Sequence, residues 1–289
     1  MILSTWLNNA EKRLTRVLKD KDLAHQDIAW IACSALYKDR TWLLTHEDQT
    51  LSIIQRWKLN RLLRRRLKDE PLAYLLNSAP FYRRDYFVDK RVLIPRPETE
   101  DLIEIALRRT ERKHHLTIID IGTGSGAIAT TIALEKPKAH VLASDTSLRA
   151  LSVAKKNAKR LHANVYFTKG SLLHTELISM IPKQDPIIII ANLPYLPPSD
   201  KRIMPKSVTR FEPAQALFAE NKGLALNEHL LQQSAKLLTT SYSLLTLLLE
   251  FDPPQAKKLR DIAQSLFPLA TIRIHQDRCG RERFLEVSI

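Results

Sequence analysis

Leu116-Thr117-Ile118-Ile119-Asp120-Ile121-Gly122-Thr123-Gly124-Ser125-Gly126 runs from a β-branched apolar segment into three glycines at alternate positions. The first four residues read as a strand, the glycines as a tight turn, and Ala127 to Leu134 as the opening of a helix. The same unit recurs downstream. Residues 140–144 form the next strand, ending in Asp145, and a helix follows over 148–161. Residues 164–168 give a third strand with 169–173 as its exit loop, 187–190 a fourth and 244–251 a fifth. Alternating strands and helices predict a doubly wound parallel sheet. The last two strands, 271–274 and 284–289, flank the turn-like Asp277-Arg278-Cys279-Gly280-Arg281 and suit an antiparallel hairpin at one edge. The expected fold is α/β, built on seven strands.

The glycine turn is also a candidate site. Without side chains the backbone of Gly122, Thr123, Gly124, Ser125 and Gly126 can approach a ligand closely, and the helix behind it offers free N–H groups. Asp145, 25 residues after Asp120, ends the next strand, where an acid would accept hydrogen bonds from ribose hydroxyls. A nucleoside cofactor is expected. Gly122-x-Gly124-x-x-Ala127 also satisfies the loose dinucleotide fingerprint, so the turn alone does not say which.

Asn192-Leu193-Pro194-Tyr195 decides between them. It ends the apolar run 187–190, and open α/β sheets bind ligands at the carboxyl ends of their strands. A nicotinamide enzyme has no need of this tetrapeptide there. A methyltransferase acting on a planar nitrogen does: the side-chain carbonyl of Asn192 and the main-chain carbonyl of Leu193 can accept both hydrogens of an NH2 group, with Tyr195 packed on its flat face. No base need precede attack on a sulfonium methyl, which agrees with the lack of a catalytic His or Cys nearby. Adenine and glutamine fit this reading equally.

Ahead of the sheet the chain changes character. All four tryptophans lie before residue 58 and all six glycines after residue 121. A glycine-free opening with helical apolar spacing predicts a small helical bundle, with Trp6, Trp30, Trp42 and Trp57 in its core. Ile28, Ile31, Ala32 and Ala35 mark the inner face of one helix; Arg64-Arg65-Arg66 reads as a solvated face. Phe81 to Val88 is expected to be extended, as a hairpin. Pro95 and Pro97 stiffen a loop entering a helix from Glu100, with Thr99 or a neighbour as its cap. The domains are expected at 1–75 (bundle), 76–93 (hairpin linker) and 94–289 (catalytic).

A net charge of +14 favours an anionic partner such as RNA or a ribonucleoprotein, or reflects a generally basic proteome. Cys33 and Cys279 fit neither a CxxC nor a metal pattern, so a reducing cytoplasm with two structural thiols and no metal is expected. His114-His115 reads as a solvated pair. No apolar run approaches the roughly 20 residues of a membrane span.

The chain resembles the protein-(glutamine-N5) methyltransferases of the PrmC/HemK family, which modify peptide chain release factors. The likeness runs nearly end to end: Arg40-Thr41-Trp42-Leu43-Leu44-Thr45-His46, Glu70-Pro71-Leu72-Ala73-Tyr74-Leu75, Leu93-Ile94-Pro95-Arg96-Pro97-Glu98-Thr99-Glu100, 120–129, Arg210-Phe211-Glu212-Pro213-Ala214-Gln215-Ala216-Leu217 and Gly280-Arg281-Glu282-Arg283. The resemblance implies a Rossmann-like S-adenosylmethionine-dependent methyltransferase domain behind a helical domain that contacts the release factor. The implied acceptor is the glutamine amide of a Gly-Gly-Gln loop. Carried over by position, Gly122 to Gly126 hold the methionine part of S-adenosylmethionine, Asp145 the ribose, and Leu172 lies near the adenine. Asn192 touches cofactor and substrate, and Leu193, Pro194 and Tyr195 shape the glutamine pocket. A cytoplasmic monomer with no obligate nucleic acid and no membrane partner is expected.

Three residues depart from the family pattern. Leu193 replaces the first proline of Asn-Pro-Pro-Tyr but keeps the carbonyl that accepts; Asp252 stands where a glycine is usual, in a strand-exit turn; Leu172 replaces a frequent aromatic. Asn-Leu-Pro-Tyr is also the form seen in ribosomal RNA adenine dimethyltransferases, the alternative within methyl transfer. From another class, a non-catalytic RNA- or ribosome-binding protein could keep the fold.

Overall fold

The computed structural model describes residues 1–110, 116–183, 185–238 and 245–289. It divides into two compact units, 1–78 with 205–211 and 79–204 with 212–289. The first is helical: α1 (Leu3–Leu18), α2 (Lys21–Leu36), α3 (Arg40–Thr45), α4 (Ile53–Arg66) and α5 (Leu72–Leu76). Asp20, Asp39 and Ser52 cap α2, α3 and α4, each accepting a backbone N–H of the first turn. Ile28, Ile31, Ala32 and Ala35 are buried as their spacing requires.

Two expectations fail in this unit. Trp6 is a core residue, its indole donating to Asn60 at 2.9 Å, but Trp30 and Trp57 are exposed and Trp42 is half-buried, stacked on His46. The reason is periodicity: the inner face of α2 is filled at 28, 31, 32 and 35, and position 30 lies on the opposite side. Nor is the arginine run wholly solvated. Leu59, Leu63 and Arg66 share one face at helical spacing, so Arg66 is buried and pairs with buried Asp27 at 2.6 Å.

The second unit opens with the expected hairpin. β1 (Ala79–Phe81) and β2 (Arg84–Tyr86) pair antiparallel, and Tyr82 and Arg83 turn between them in the left-handed region, as a two-residue hairpin loop requires. Then follow α6 (Thr99–Thr110), β3 (Thr117–Ile121), α7 (Ala127–Glu135), β4 (His140–Asp145), α8 (Leu148–Arg160), β5 (Tyr166–Lys169) and α9 (Thr175–Ser179). After β6 (Ile187–Ala191) come α10 (Lys206–Phe211, in the helical unit), α11 (Ala225–Leu238), β7 (Leu245–Glu250), α12 (Ala256–Leu266), β8 (Thr271–Gln276) and β9 (Glu282–Ser288). Leu244, and the pair His114-His115, lie outside the described residues.

The seven strands form one sheet in the order β5-β4-β3-β6-β7-β9-β8, parallel except that β9 runs antiparallel to both neighbours. Successive isoleucines of β6 face opposite sides. Ile187 and Ile189 pack with Leu230, Leu231 and Leu259 of α11 and α12; Ile188 and Ile190 pack with Leu102, Ile103 and Ile132 of α6 and α7. Covering both faces is what a continuous apolar run demands.

Glu286 of β9 is a charged residue in this core. It is buried and meets Arg109 at 2.6 Å, His275 at 2.7 Å and Arg273 at 3.6 Å. Burial alone would raise its pKa, but the hydrogen bonds from His275, Arg109 and Ser288 outweigh it and hold the carboxyl down at about 2. A depressed acid stabilises the fold above its unfolded pKa, and that contribution is lost as pH falls toward 2. Glu286→Gln is expected to cost about 1–2 kcal/mol at pH 7, reduced from the full shift because the arginines are half-exposed. Urea unfolding at pH 7 and pH 3 should show the gap to wild type shrinking with acid.

Candidate active site

Register brings the candidate residues together. Ile121 of β3 stands opposite Ser144 of β4 and Ala191 of β6, Asp145 opposite Lys169, and Ala191 opposite Leu249 of β7. The exits of β3, β4, β5, β6 and β7 are therefore level, and the chain's direction of winding reverses between β3 and β6. One cleft opens there. Gly122, Thr123, Gly124, Ser125, Asp145, Leu172, Asn192, Leu193 and Pro194 line it; Gly126 and Tyr195 are not among its lining residues.

The glycines serve different purposes. Gly124, in the left-handed region at φ +55°, has open space where a Cβ would stand, the nearest atom being the Gly122 carbonyl at 3.9 Å. A Cβ at Gly122 would come within 2.8 Å of Leu193, so the turn and the tetrapeptide are fitted to each other. At Gly126 a Cβ would lie 2.9 Å from that of Ala154, so this glycine lets α7 pack on α8. Asp120 holds the turn from below: its Oδ2 accepts the Thr123 hydroxyl at 2.6 Å and the Ala129 N–H at 3.1 Å. Burial lifts this carboxyl to about 7.

Asp145 accepts the Gly124 N–H at 2.9 Å on one oxygen and the Ser147 N–H at 2.8 Å on the other. Burial raises its pKa against those bonds. Each oxygen keeps a lone pair for a diol. Leu172 is buried and held at φ +50°, a strained conformation for a branched residue. A bare glycine turn, a diol-accepting acid and an apolar wall suit the methionine, ribose and adenine parts of S-adenosylmethionine, so the residues fit that group.

The tetrapeptide is fixed from beneath. Asn192 Nδ2 donates to Thr99 Oγ1 at 2.9 Å, and Thr99 Oγ1 donates to Glu250 Oε2 at 2.8 Å. Tyr195 donates its hydroxyl to Glu250 Oε1 at 3.3 Å, so its ring is tied to the floor of the site. Burial and the Glu250 charge hold that phenol well above its ordinary pKa. The Tyr195 carbonyl accepts Gln255 Nε2 at 2.7 Å, and the same amide nitrogen donates to the Lys222 carbonyl at 2.9 Å. Across the cleft, Glu212 accepts Arg96 at 2.7 Å and the Ile94 N–H at 3.1 Å, joining the Pro95 wall to the Pro213 wall.

Thr99, Glu250, Glu212 and Gln255 are absent from the sequence-derived site. Thr99 is the first residue of α6 and its hydroxyl points to Glu250. A signal for Glu250 exists: it is an acid directly after the apolar run Leu247-Leu248-Leu249 at the end of β7. Asp252 does not disturb the strand exit. It sits at φ −78° and forms a reciprocal capping box with Gln255, so no glycine is needed there.

A doubly wound sheet carrying this turn, acid and tetrapeptide around one cleft defines a methyltransferase. The catalytic domain of human Mettl16, solved in complex with a 3'UTR hairpin, shares the fold with a TM-score of 0.55 at 16% identity, covering 70% of this chain and 74% of that one. Family models match over residues 5–76 (PrmC N-terminal domain) and 102–211 (methyltransferase small domain). The chain is 36% identical over 245 residues to the release factor glutamine methyltransferase of Enterococcus faecalis, covering 85% of each. To that of Aliivibrio fischeri it is 36% identical over 272 residues, covering 92% of this chain and 90% of the relative. The chain belongs to the release factor glutamine methyltransferase family.

Proposed function

We propose that this methyltransferase modifies the side-chain amide nitrogen (N5) of the glutamine in the Gly-Gly-Gln loop of peptide chain release factors. The orientation of Asn192 supports transfer to a planar NH2 group, and the likeness to release factor glutamine methyltransferases selects glutamine over adenine. With Nδ2 bonded to Thr99, the amide oxygen is the atom left to the cleft. Asn192 Oδ1 and the Leu193 carbonyl would accept the two hydrogens of the substrate NH2 and hold its nitrogen in line, while Pro194 stiffens the turn. An amide nitrogen is a poor nucleophile, so positioning at about 3–3.5 Å supplies much of the rate. Gly122–Ser125 would hold the methionine part of S-adenosylmethionine, Asp145 the ribose, and Leu172 the adenine. When bound, S-adenosylmethionine supplies a methyl group on a positively charged sulfur.

Residues 1–75 would dock the release factor and 76–93 would link that domain to 94–289. A net charge of +14 is compatible with an acceptor that works at the ribosome, and we place the enzyme's work in the cytoplasm, as a monomer, with no obligate nucleic acid. Among the described residues no helix is long and apolar enough to cross a membrane. Incubation with labelled S-adenosylmethionine should label a release factor, and Gln→Ala in its Gly-Gly-Gln loop should abolish the label. Label in ribosomal RNA, with none in the factor, would overturn the reading.

A further inference from the structure

Asn192, Thr99 and Glu250 form a chain in which the middle member has a single proton to give. Thr99 Oγ1 gives it to Glu250 Oε2 at 2.8 Å, and so can only accept from Asn192, at 2.9 Å. That is why the Asn192 NH2 faces Thr99 and its oxygen faces the cleft. The direction originates at Glu250, whose carboxylate accepts on both oxygens, from Thr99 and from Tyr195.

We propose that Glu250 is a positioning residue that sets the polarity of this relay, and that a proton taken up there from solvent inverts Asn192 from acceptor to donor. A protonated Oε2 donates to Thr99. The Thr99 proton then turns to Asn192, whose amide rotates by half a turn to present its oxygen. No hydrogen bond of the relay is lost, so little opposes the inversion. Its result is an NH2 group facing a substrate NH2, and two donors cannot pair. The proposal rests on the reading of Asn192 as the acceptor for the substrate amide.

The surroundings place the switch in an accessible range. Glu250 is buried between α6, β6 and β9, and burial lifts its carboxyl to about 7. Arg283 of β9, Thr99 and Tyr195 favour the carboxylate, and Glu98 opposes it. Asn227 of α11 bonds the main-chain oxygen of Glu250 at 3.2 Å and leaves the carboxyl untouched.

The test uses the full chain and a release factor as acceptor. Wild-type kcat should fall below about pH 7, roughly tenfold per pH unit for a single proton. Glu250→Gln should lack that acid limb. Thr99→Val should lower kcat about 100-fold with the KM for S-adenosylmethionine within about twofold, and Thr99→Ser should recover to within about threefold. A second readout needs no acceptor: the side-chain NH2 resonance of Asn192, identified by its loss in Asn192→Ala, should titrate in wild type and stay still in Glu250→Gln. Wild-type kcat in Thr99→Val, or an unchanged limb and an unchanged NH2 titration in Glu250→Gln, would overturn the relay. If no release factor is methylated but the resonance titrates as described, the relay stands and the choice of acceptor falls.

Discussion

Asn192→Ala is expected to lower methyl transfer about 100- to 1,000-fold, the range for removing one oriented group that contacts the reacting centre. The substitution removes the oxygen left to the cleft and the donor that Thr99 accepts. It leaves the glycine turn and Asp145 untouched, so S-adenosylhomocysteine should bind within about tenfold of wild type, the equivalent of one lost hydrogen bond. Single-turnover transfer to a release factor and calorimetric titration of the product cofactor separate the two effects. Asn192→Asp keeps an oxygen toward the cleft but cannot donate to Thr99, and it adds a second carboxylate to a floor that already holds Glu250. Nearly the same loss is expected from it. An Asn192→Ala enzyme with wild-type turnover would remove the tetrapeptide from the chemistry.

The frame around Asn192 was readable from periodicity because strands buried on both faces announce themselves. Ile187 to Ile190 is uninterrupted by a polar residue, and the alternation of such runs with helices leaves few topologies. Level strand exits follow from a parallel sheet, so the strand pattern alone brings Gly122, Asp145 and Asn192 to one cleft. What lies beneath them is readable only at Glu250, and nothing in the sequence ties that acid to Thr99. A threonine at the start of a helix carries the signature of a cap whether or not its hydroxyl bonds elsewhere, and Thr99, the first residue of α6, bonds to a residue 151 positions away. Residue type alone sends Trp30 and Trp57 to the core, although their phase on the helix points outward. Residue type likewise sends Arg66 to solvent, though it continues the seam of Leu59 and Leu63. Asp252-Pro253-Pro254-Gln255 carries in its sequence the spacing of a capping box with proline in the first turn, which accounts for an acid where a glycine is usual.

Gly223→Ala should damage both the fold and the chemistry, and Gly280→Ala shows why. Both glycines lie in the left-handed region, at φ +85° and +77°. At Gly280 a Cβ would meet nothing within 4 Å, so alanine there bears the conformational strain alone, about 1 kcal/mol. At Gly223 the Cβ would fall 1.8 Å from the Tyr195 carbonyl oxygen and 2.6 Å from Gln255 Nε2. Those two atoms are bonded to each other at 2.7 Å, so neither can yield without breaking the contact that ends the tetrapeptide. Strain and overpacking together predict a loss of about 3–5 kcal/mol in urea unfolding. In the fraction that remains folded, Tyr195 must shift by an ångström or more. Because Tyr195 and Asn192 share the Glu250 floor, kcat should fall about 100-fold beyond what the unfolded fraction explains. Equal stabilities for the two variants would show that the loop at 221–223 does not press on the tetrapeptide. Unequal stabilities with normal turnover in Gly223→Ala would show that the tetrapeptide holds its geometry without that support.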